Sequence, residues 1–285
     1  MKDFYKTKNI PCFGVAGNFT GHLEQAGEDK DFIGIKTEEE IAPKAIFPTY
    51  IPPVNEKDLV PPFLHVYPFD PEKIIYPVDE EKIQMESECA IVCKLEWNDR
   101  KITKLTPFLF GASNDCSIRK EGAKKISLKK NWGKSSKGVS SHLLEMDSFT
   151  QEGNISRYRI TSFLLRGKEV YQYGEDSAIR DYSYIFDKLT DWMLQKLNGQ
   201  KDEVPAENIG SYLRALGHPE YALISIGATR YTDYGKTNFL NQDDESLVLL
   251  YPEDKYTPQQ IEEMASKRDF SAEVISALCQ KVVCL

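Results

Sequence analysis

The sequence has no uncharged run approaching the roughly 20 residues needed to cross a bilayer. Its opening, MKDFYKTKNIPCFG, has no apolar core of the kind a signal peptide carries. A cytoplasmic protein with no membrane partner is therefore the expectation. No C-x-x-C pair occurs, and six cysteines (Cys12, Cys89, Cys93, Cys116, Cys279, Cys284) in 285 residues fall far short of a disulfide scaffold. They read as reduced, mostly buried thiols. A basic excess is also missing: 36 Lys and Arg face 44 Asp and Glu, for a net charge of -8. Such a surface is not built to neutralise phosphates, so no nucleic-acid partner is expected. Repeats, low-complexity tracts and linkers are absent as well, and helical periodicity shows in only three places.

What is present is enough apolar material, 41% of residues, to bury a full core. IPCFGVAG reads as a short buried strand whose small residues Gly14, Ala16 and Gly17 allow something to approach closely. The segment after it, from Asn18, reads as a short or irregular helix that Asn18 could cap, broken by Gly21 and Gly27. Nine of the fifteen prolines lie between Ala42 and Pro77, which excludes regular helix there. Further strands are expected at QMESECAIVCKLEW, KLTPFLFGASND, SHLLEMD, SRYRITSFLLRG, YALISIGA and ESLVLLYP. Helices are expected from about Tyr182 to Leu197, near PAENIGSYLRALG with Pro205 in the first turn, and from the Thr257-Pro258-Gln259-Gln260 capping signal onward. The fold class is thus α+β and strand-rich, a single domain over 1–285. Residues 1–70 are open to reading as an N-terminal subdomain or lid, and 257–285 as a helical tail.

Chemistry enters at QMESECAIV. Glu86 and Glu88 stand two apart on a strand, so their carboxylates leave the same face a few ångströms apart. An isolated pair of this kind is most often a solvated surface feature. Here Ala90 and Val92 share the face, which predicts burial, and buried like charges need a shared proton, cationic side chains or a bound cation. Among cations, an all-oxygen site favours Mg²⁺, Mn²⁺ or Ca²⁺ over zinc.

Four pieces, in order along the chain, resemble the fumarylacetoacetate hydrolase family: Asn18-Phe19-Thr20-Gly21-His22 after a glycine-containing strand; Glu86-Ser87-Glu88 followed by small apolar residues; Gly111-Ala112-Ser113-Asn114-Asp115-Cys116-Ser117-Ile118-Arg119; and Trp132-Gly133-Lys134. Arg166-Gly167-Lys168 with Gln172, and Gly227-Ala228-Thr229, are similar to two later turns of that family. The resemblance implies a mixed β-roll or β-sandwich core with a few peripheral helices. It also implies metal ligands Glu86, Glu88 and Asp115, a Mg²⁺, Mn²⁺ or Ca²⁺ cofactor, and a catalytic His22 and Lys134. Substrate contacts would come from Asn18, Arg119, Gln172 and Thr229, and the assembly would be a homodimer.

The activity implied is metal-dependent hydrolysis or lysis of a C–C bond beside a 2-oxo or 1,3-dicarbonyl group of a small anionic acid. An isomerase or hydratase of 2-hydroxy-dienoate acids is the alternative on the same fold, and a non-catalytic small-acid-binding protein the alternative of another class. Three departures bear on the choice. Gln25 stands where the family has the Glu that completes a water-activating pair with the His. Lys120 replaces an Asp after Arg119, and Lys137 lies where an Asp follows the family lysine. The other histidines (His65, His142, His218) and Cys116 receive no role.

Overall fold

The computed structural model of the chain describes residues 8–284 apart from 33, 36, 56–58, 78, 79, 81 and 121, so the first seven residues of the expected N-terminal unit, and residue 285, lie outside it. The strands in chain order are β1 (Cys12–Ala16), β2 (Ala45–Tyr50), β3 (Lys73–Ile75), β4 (Ile83–Gln84), β5 (Ser87–Asn98), β6 (Lys101–Asn114), β7 (Ser117–Ile118), β8 (Gly138–Val139), β9 (Leu144–Glu145), β10 (Tyr158–Arg166), β11 (Glu169–Ala178), β12 (Tyr221–Ala228), β13 (Glu245–Pro252) and β14 (Ser276–Val283). The helices are α1 (His22–Ala26), α2 (Ser127–Lys130), α3 (Phe186–Gly199), α4 (Ile209–Ala215), α5 (Asp233–Thr237) and α6 (Pro258–Lys267). Among the described residues no helix is long and apolar enough to cross a membrane.

One sheet runs β2-β1-β12-β5-β6-β8, with β9 also on β6; a second runs β11-β10-β13-β14-β3; β4 and β7 form a small third. The protein is therefore strand-rich α+β, as the alternating segments predict. Alternation along β5 explains why the sheets stack. Cys89, Ile91 and Cys93 enter a core shared with Val248, Leu250 and Leu278 of the second sheet. Ala90 and Val92, on the other face, pack with Cys12, Tyr50, Val139 and Leu223. From Ser87 to Cys93 both faces are buried, so a charge on that part of β5 must be neutralised inside the protein. Strands β1 and β2, from the first seventy residues, belong to the same sheet as β5.

The helices depart from expectation at their ends, for local reasons. The apolar stripe Leu189, Trp192, Met193 and Leu197 is buried on α3, which begins at Phe186 rather than Tyr182. The intervening residues bend outside the helix: the Tyr182 hydroxyl donates to the Gly227 carbonyl at 2.7 Å, and Tyr184 N–H donates to Asn18 Oδ1 at 2.9 Å. Asn18 is thereby spent on this bridge, and α1 starts from Gly21 without a side-chain cap. Helix α4 is capped by Asn208, so Pro205 precedes it. The Thr257–Gln260 capping box is formed as expected, yet the helix stops at Lys267. The expected helical tail over 257–285 is corrected to this ten-residue helix plus β14, where Leu278, Gln280 and Val282 are buried alternately with more exposed neighbours. That is the period of a strand, not a helix.

Two contacts in this frame support the later site. Phe47 packs its ring against Gly14, where a Cβ would stand 2.3 Å from Cζ. Gly14→Ala is expected to cost about 1–3 kcal/mol by overpacking, read as a lowered denaturation midpoint at unchanged slope. The second contact pins α2, whose Ser127 hydroxyl donates to Glu207 Oε1 at 2.5 Å, while Glu207 Oε2 has no hydrogen-bond partner. Burial pushes the Glu207 carboxyl up to about 7. Below the ordinary carboxylate value folded and unfolded states are both protonated. As pH rises from about 4.5 to about 7 the unfolded chain ionises first and stability falls, by about 3 kcal/mol in all. Glu207→Gln should abolish this loss, gaining on the parent protein between pH 4.5 and 8 in urea denaturation; parallel stability curves would contradict it.

Candidate metal and acid-binding site

The three carboxylates meet because of how β5 and β6 pair. Two β-bulges, at Val92/Cys93 and Glu96/Trp97, each leave one extra residue on β6, Phe108 and Thr103. The shift they accumulate sets Glu88 opposite Ser113 at the open end of the hairpin. Asp115 then falls just past the end of β6, where its N–H donates to the Glu86 carbonyl at 3.0 Å. The Glu86 N–H donates in turn to Asn114 Oδ1 at 3.1 Å. Asn114 is held by Ser246 and Gln280, residues of β13 and β14, so the second sheet fixes the end of the hairpin. Glu86, Glu88 and Asp115 are all buried, and each offers an oxygen within 4.8 Å of the others. An all-oxygen set at this spacing suits a hard divalent cation.

Cations surround the triad unevenly. Lys130 Nζ lies 2.6 Å from Glu86 Oε2 and 2.8 Å from Asp115 Oδ2. Lys137 donates to Asp115 Oδ1, and Arg119 Nη2 lies 2.8 Å from Glu86 Oε1. Burial alone would raise the Glu86 carboxyl; Lys130 and Arg119 outweigh it and hold the group well below the carboxylate range. Among the described residues, Glu88 has no cation paired with it and accepts the Gly227 N–H, at 2.9 Å. Burial first, then Asp115 and Glu86, push its carboxyl well up. Gly227 reaches Glu88 through a left-handed φ of 118° at the break in the β12–β5 register.

His22 faces the triad from α1. Its Nδ1 lies 2.8 Å from the Thr229 carbonyl oxygen. A carbonyl only accepts, so Nδ1 carries the proton and Nε2 presents its lone pair, 4.0 Å from Glu86 Oε2. Burial, more than any charge nearby, lowers the pKa of the ring and keeps it neutral. Gln25 does not enter the site: its Oε1 accepts the Tyr231 N–H at 2.8 Å. A carboxylate arrives from further along, because Gly27 takes a left-handed φ of 69° and turns the chain so that Glu28 lines the same cavity as His22. Glu28 Oε1 lies 2.7 Å from Arg119 Nη1 and 2.9 Å from Lys129 Nζ, and these cations keep it ionised against its burial.

The residues expected from sequence are placed as follows. Glu86, Glu88, Asp115, His22 and Arg119 come together. Lys134 is exposed on the loop after α2, and the lysines at the triad are Lys130 and Lys137. Asn18 has both amide functions committed to the backbone of Tyr184 and Ile226. The Thr229 hydroxyl meets Ser87 Oγ at 3.0 Å, so its carbonyl, through His22, is what serves the site. Gln172 is exposed on β11. Lys137 could have been found from the Gly138-Val139 pair after it, which forms β8 on the end of β6 and sets Lys137 beside Asp115. For Lys130 and Glu28 the sequence carries no comparable signal.

The cavity bounded by His22, Glu28, Phe47, Glu86, Glu88 and Lys130 has a volume of about 10 Å³, enough for one water. A cleft of about 310 Å³ opens on the far side of the Arg119–Glu28 pair, lined also by Lys82, Gln84, Lys120 and Lys129.

Solved structures share the fold. A fumarylacetoacetate hydrolase family protein from Yersinia pestis CO92 superposes with a TM-score of 0.52 at 11% identity, over 96% of this chain and 93% of that one. A 2-keto-3-deoxy-D-arabinonate dehydratase, solved with magnesium and 2,5-dioxopentanoate, gives 0.52 at 12% identity over 97% and 73%. Cg1458, solved with an inhibitor, gives 0.54 at 12% over 97% and 77%. No curated protein matches the chain in sequence. The fold is thus that of fumarylacetoacetate hydrolase family proteins, as the sequence resemblance implies, and by the family profile that matches residues 28–282 the chain belongs to a family described as of unknown function, DUF5718.

Proposed function

We propose that the chain is a divalent-metal-dependent enzyme acting on a small 2-oxo acid, with Glu86, Glu88 and Asp115 holding the ion. The observation that carries this reading is the buried triad itself. Three carboxylates are brought within 4.8 Å of one another, and Glu86 Oε1 and Asp115 Oδ2 are met only by ion pairs, at 2.8 Å to Arg119 and Lys130, without an aligned hydrogen bond. A fold gains nothing from such a cluster unless a charge is to be met there. The ion suggested is Mg²⁺, Mn²⁺ or Ca²⁺, in keeping with the magnesium in the dehydratase named above.

A hard divalent cation in this site would supply Lewis acidity to the carboxylate and 2-oxo oxygens of the substrate. The chain's own residues do the rest. His22, neutral and with Nε2 bare, takes a proton from the substrate carbon or from water and returns it. Lys137 and Arg119 hold Asp115 and Glu86 in place by charge-assisted contacts. The small cavity excludes bulk water, so a substrate entering from the 310 Å³ cleft must part the Arg119–Glu28 pair.

The reaction is C–C bond cleavage or a related elimination beside the 2-oxo group. Among the described residues no carboxylate is hydrogen-bonded to His22: Gln25 is held by Tyr231, and Nδ1 is held by a backbone carbonyl. That favours lysis, as decarboxylation or dehydration, over hydrolysis, which needs an activated water. The test is a panel of oxaloacetate, acylpyruvates and 2-keto-3-deoxy sugar acids with Mg²⁺ and Mn²⁺. At least one should turn over and stop with chelator. His22→Ala should lower kcat roughly 10²–10⁴-fold with metal affinity retained. Turnover undiminished by chelator, or by His22→Ala, would overturn the reading.

A further inference from the structure

The ammonium of Lys130 stands between two of the three carboxylates, 2.6 Å from Glu86 Oε2 and 2.8 Å from Asp115 Oδ2. It is as buried as they are. Calcium–oxygen contacts lie at about 2.3–2.6 Å and magnesium ones near 2.1 Å, so Nζ sits at nearly the distance from these oxygens that an ion would take. An ammonium and a divalent ion cannot share that position, since like charges at contact in a buried site repel strongly.

Charge arithmetic points the same way. Counted at formal charges, Glu86, Glu88 and Asp115 bring three negative charges and Lys130, Lys137 and Arg119 three positive ones, so the inner cluster needs no ion to be balanced. Lys130 alone among the three cations touches two of the carboxylates, whereas Lys137 and Arg119 each approach one. We propose that Lys130 is a built-in counter-ion in the metal's place, and that a divalent ion binds only by displacing it. The proposal rests on reading Glu86, Glu88 and Asp115 as the metal triad.

The neighbourhood permits such a movement. Lys130 is the last residue of α2, a helix of four residues whose first is pinned through Ser127 to Glu207. The backbone can stay fixed while the four-carbon stem turns. The Phe47 ring, whose centroid lies 5.5 Å from Nζ, gives the displaced ammonium a π-face nearby. The consequence for folding is that the triad is satisfied in the metal-free chain. A site of three buried carboxylates without its own cation would instead need the metal in order to fold.

The experiment is calorimetric titration of Mn²⁺ into the full chain and into Lys130→Met, with melting temperatures recorded with and without the ion. Lys130→Met should bind Mn²⁺ at least tenfold more tightly than the parent protein. Its melting temperature should fall in chelator and recover with Mn²⁺. Lys130→Arg, which keeps the charge and protects against a folding artefact, should bind no more tightly than the parent. Equal or weaker Mn²⁺ binding by a folded Lys130→Met, with the parent still binding, overturns the displacement proposal and leaves the metal triad standing. Absence of Mn²⁺ binding in all three proteins overturns both.

Discussion

Three carboxylates buried at one end of a hairpin are the constraint on which the rest of this structure depends. Desolvating even one isolated carboxylate is expensive, and here Glu86, Glu88 and Asp115 share a few ångströms of interior. The fold responds by bringing cations from three directions: Arg119 from just beyond β7, Lys130 from α2 and Lys137 from the start of β8. Each of those segments is itself held by contacts to another part of the chain. Ser127 of α2 is tied to Glu207, and the Lys137 carbonyl accepts from Gln280 of β14.

Function follows from the asymmetry of that response. Glu86 and Asp115 are clamped by cations, while Glu88 is left with one backbone N–H. His22 is oriented by a backbone carbonyl, so its bare nitrogen is directed at the triad by geometry rather than by a carboxylate partner. Glu28 lines both the small cavity at the triad and the cleft beside it, and its partner Arg119 lines the cleft. The same arginine braces Glu86 and bonds to Tyr231 and Gln84. An event at the cleft that moves Arg119 is thus felt directly at the triad.

Much of this was legible in the residues. Alternation through QMESECAIV predicts a strand buried on both faces, and Ala90 and Val92 predict that the glutamates are buried with it. The third carboxylate, Asp115, comes only from the family resemblance that Gly111–Arg119 carries. The parts that were not legible depend on contacts that no local period encodes. Two bulges set the register that brings Asp115 to Glu86, a left-handed Gly27 returns Glu28 to the cavity, and α2 buries two lysines in a stretch dense in charged residues. Lys134 follows an aromatic residue, as the resemblance requires, but it is exposed, while Lys137 gains its place through strand pairing. At the C-terminus a strong capping signal hides the strand behind it, since Leu278, Gln280 and Val282 alternate around a buried polar residue.

The central claim is that Glu86, Glu88 and Asp115 together hold one divalent ion. It is tested most directly by an anomalous-difference map from crystals of the full chain grown with Mn²⁺. The account predicts a single strong peak within coordination distance, about 2.0–2.4 Å, of an oxygen from each of the three carboxylates, with the Lys130 ammonium moved away. No peak at the triad in crystals saturated with Mn²⁺ would contradict it.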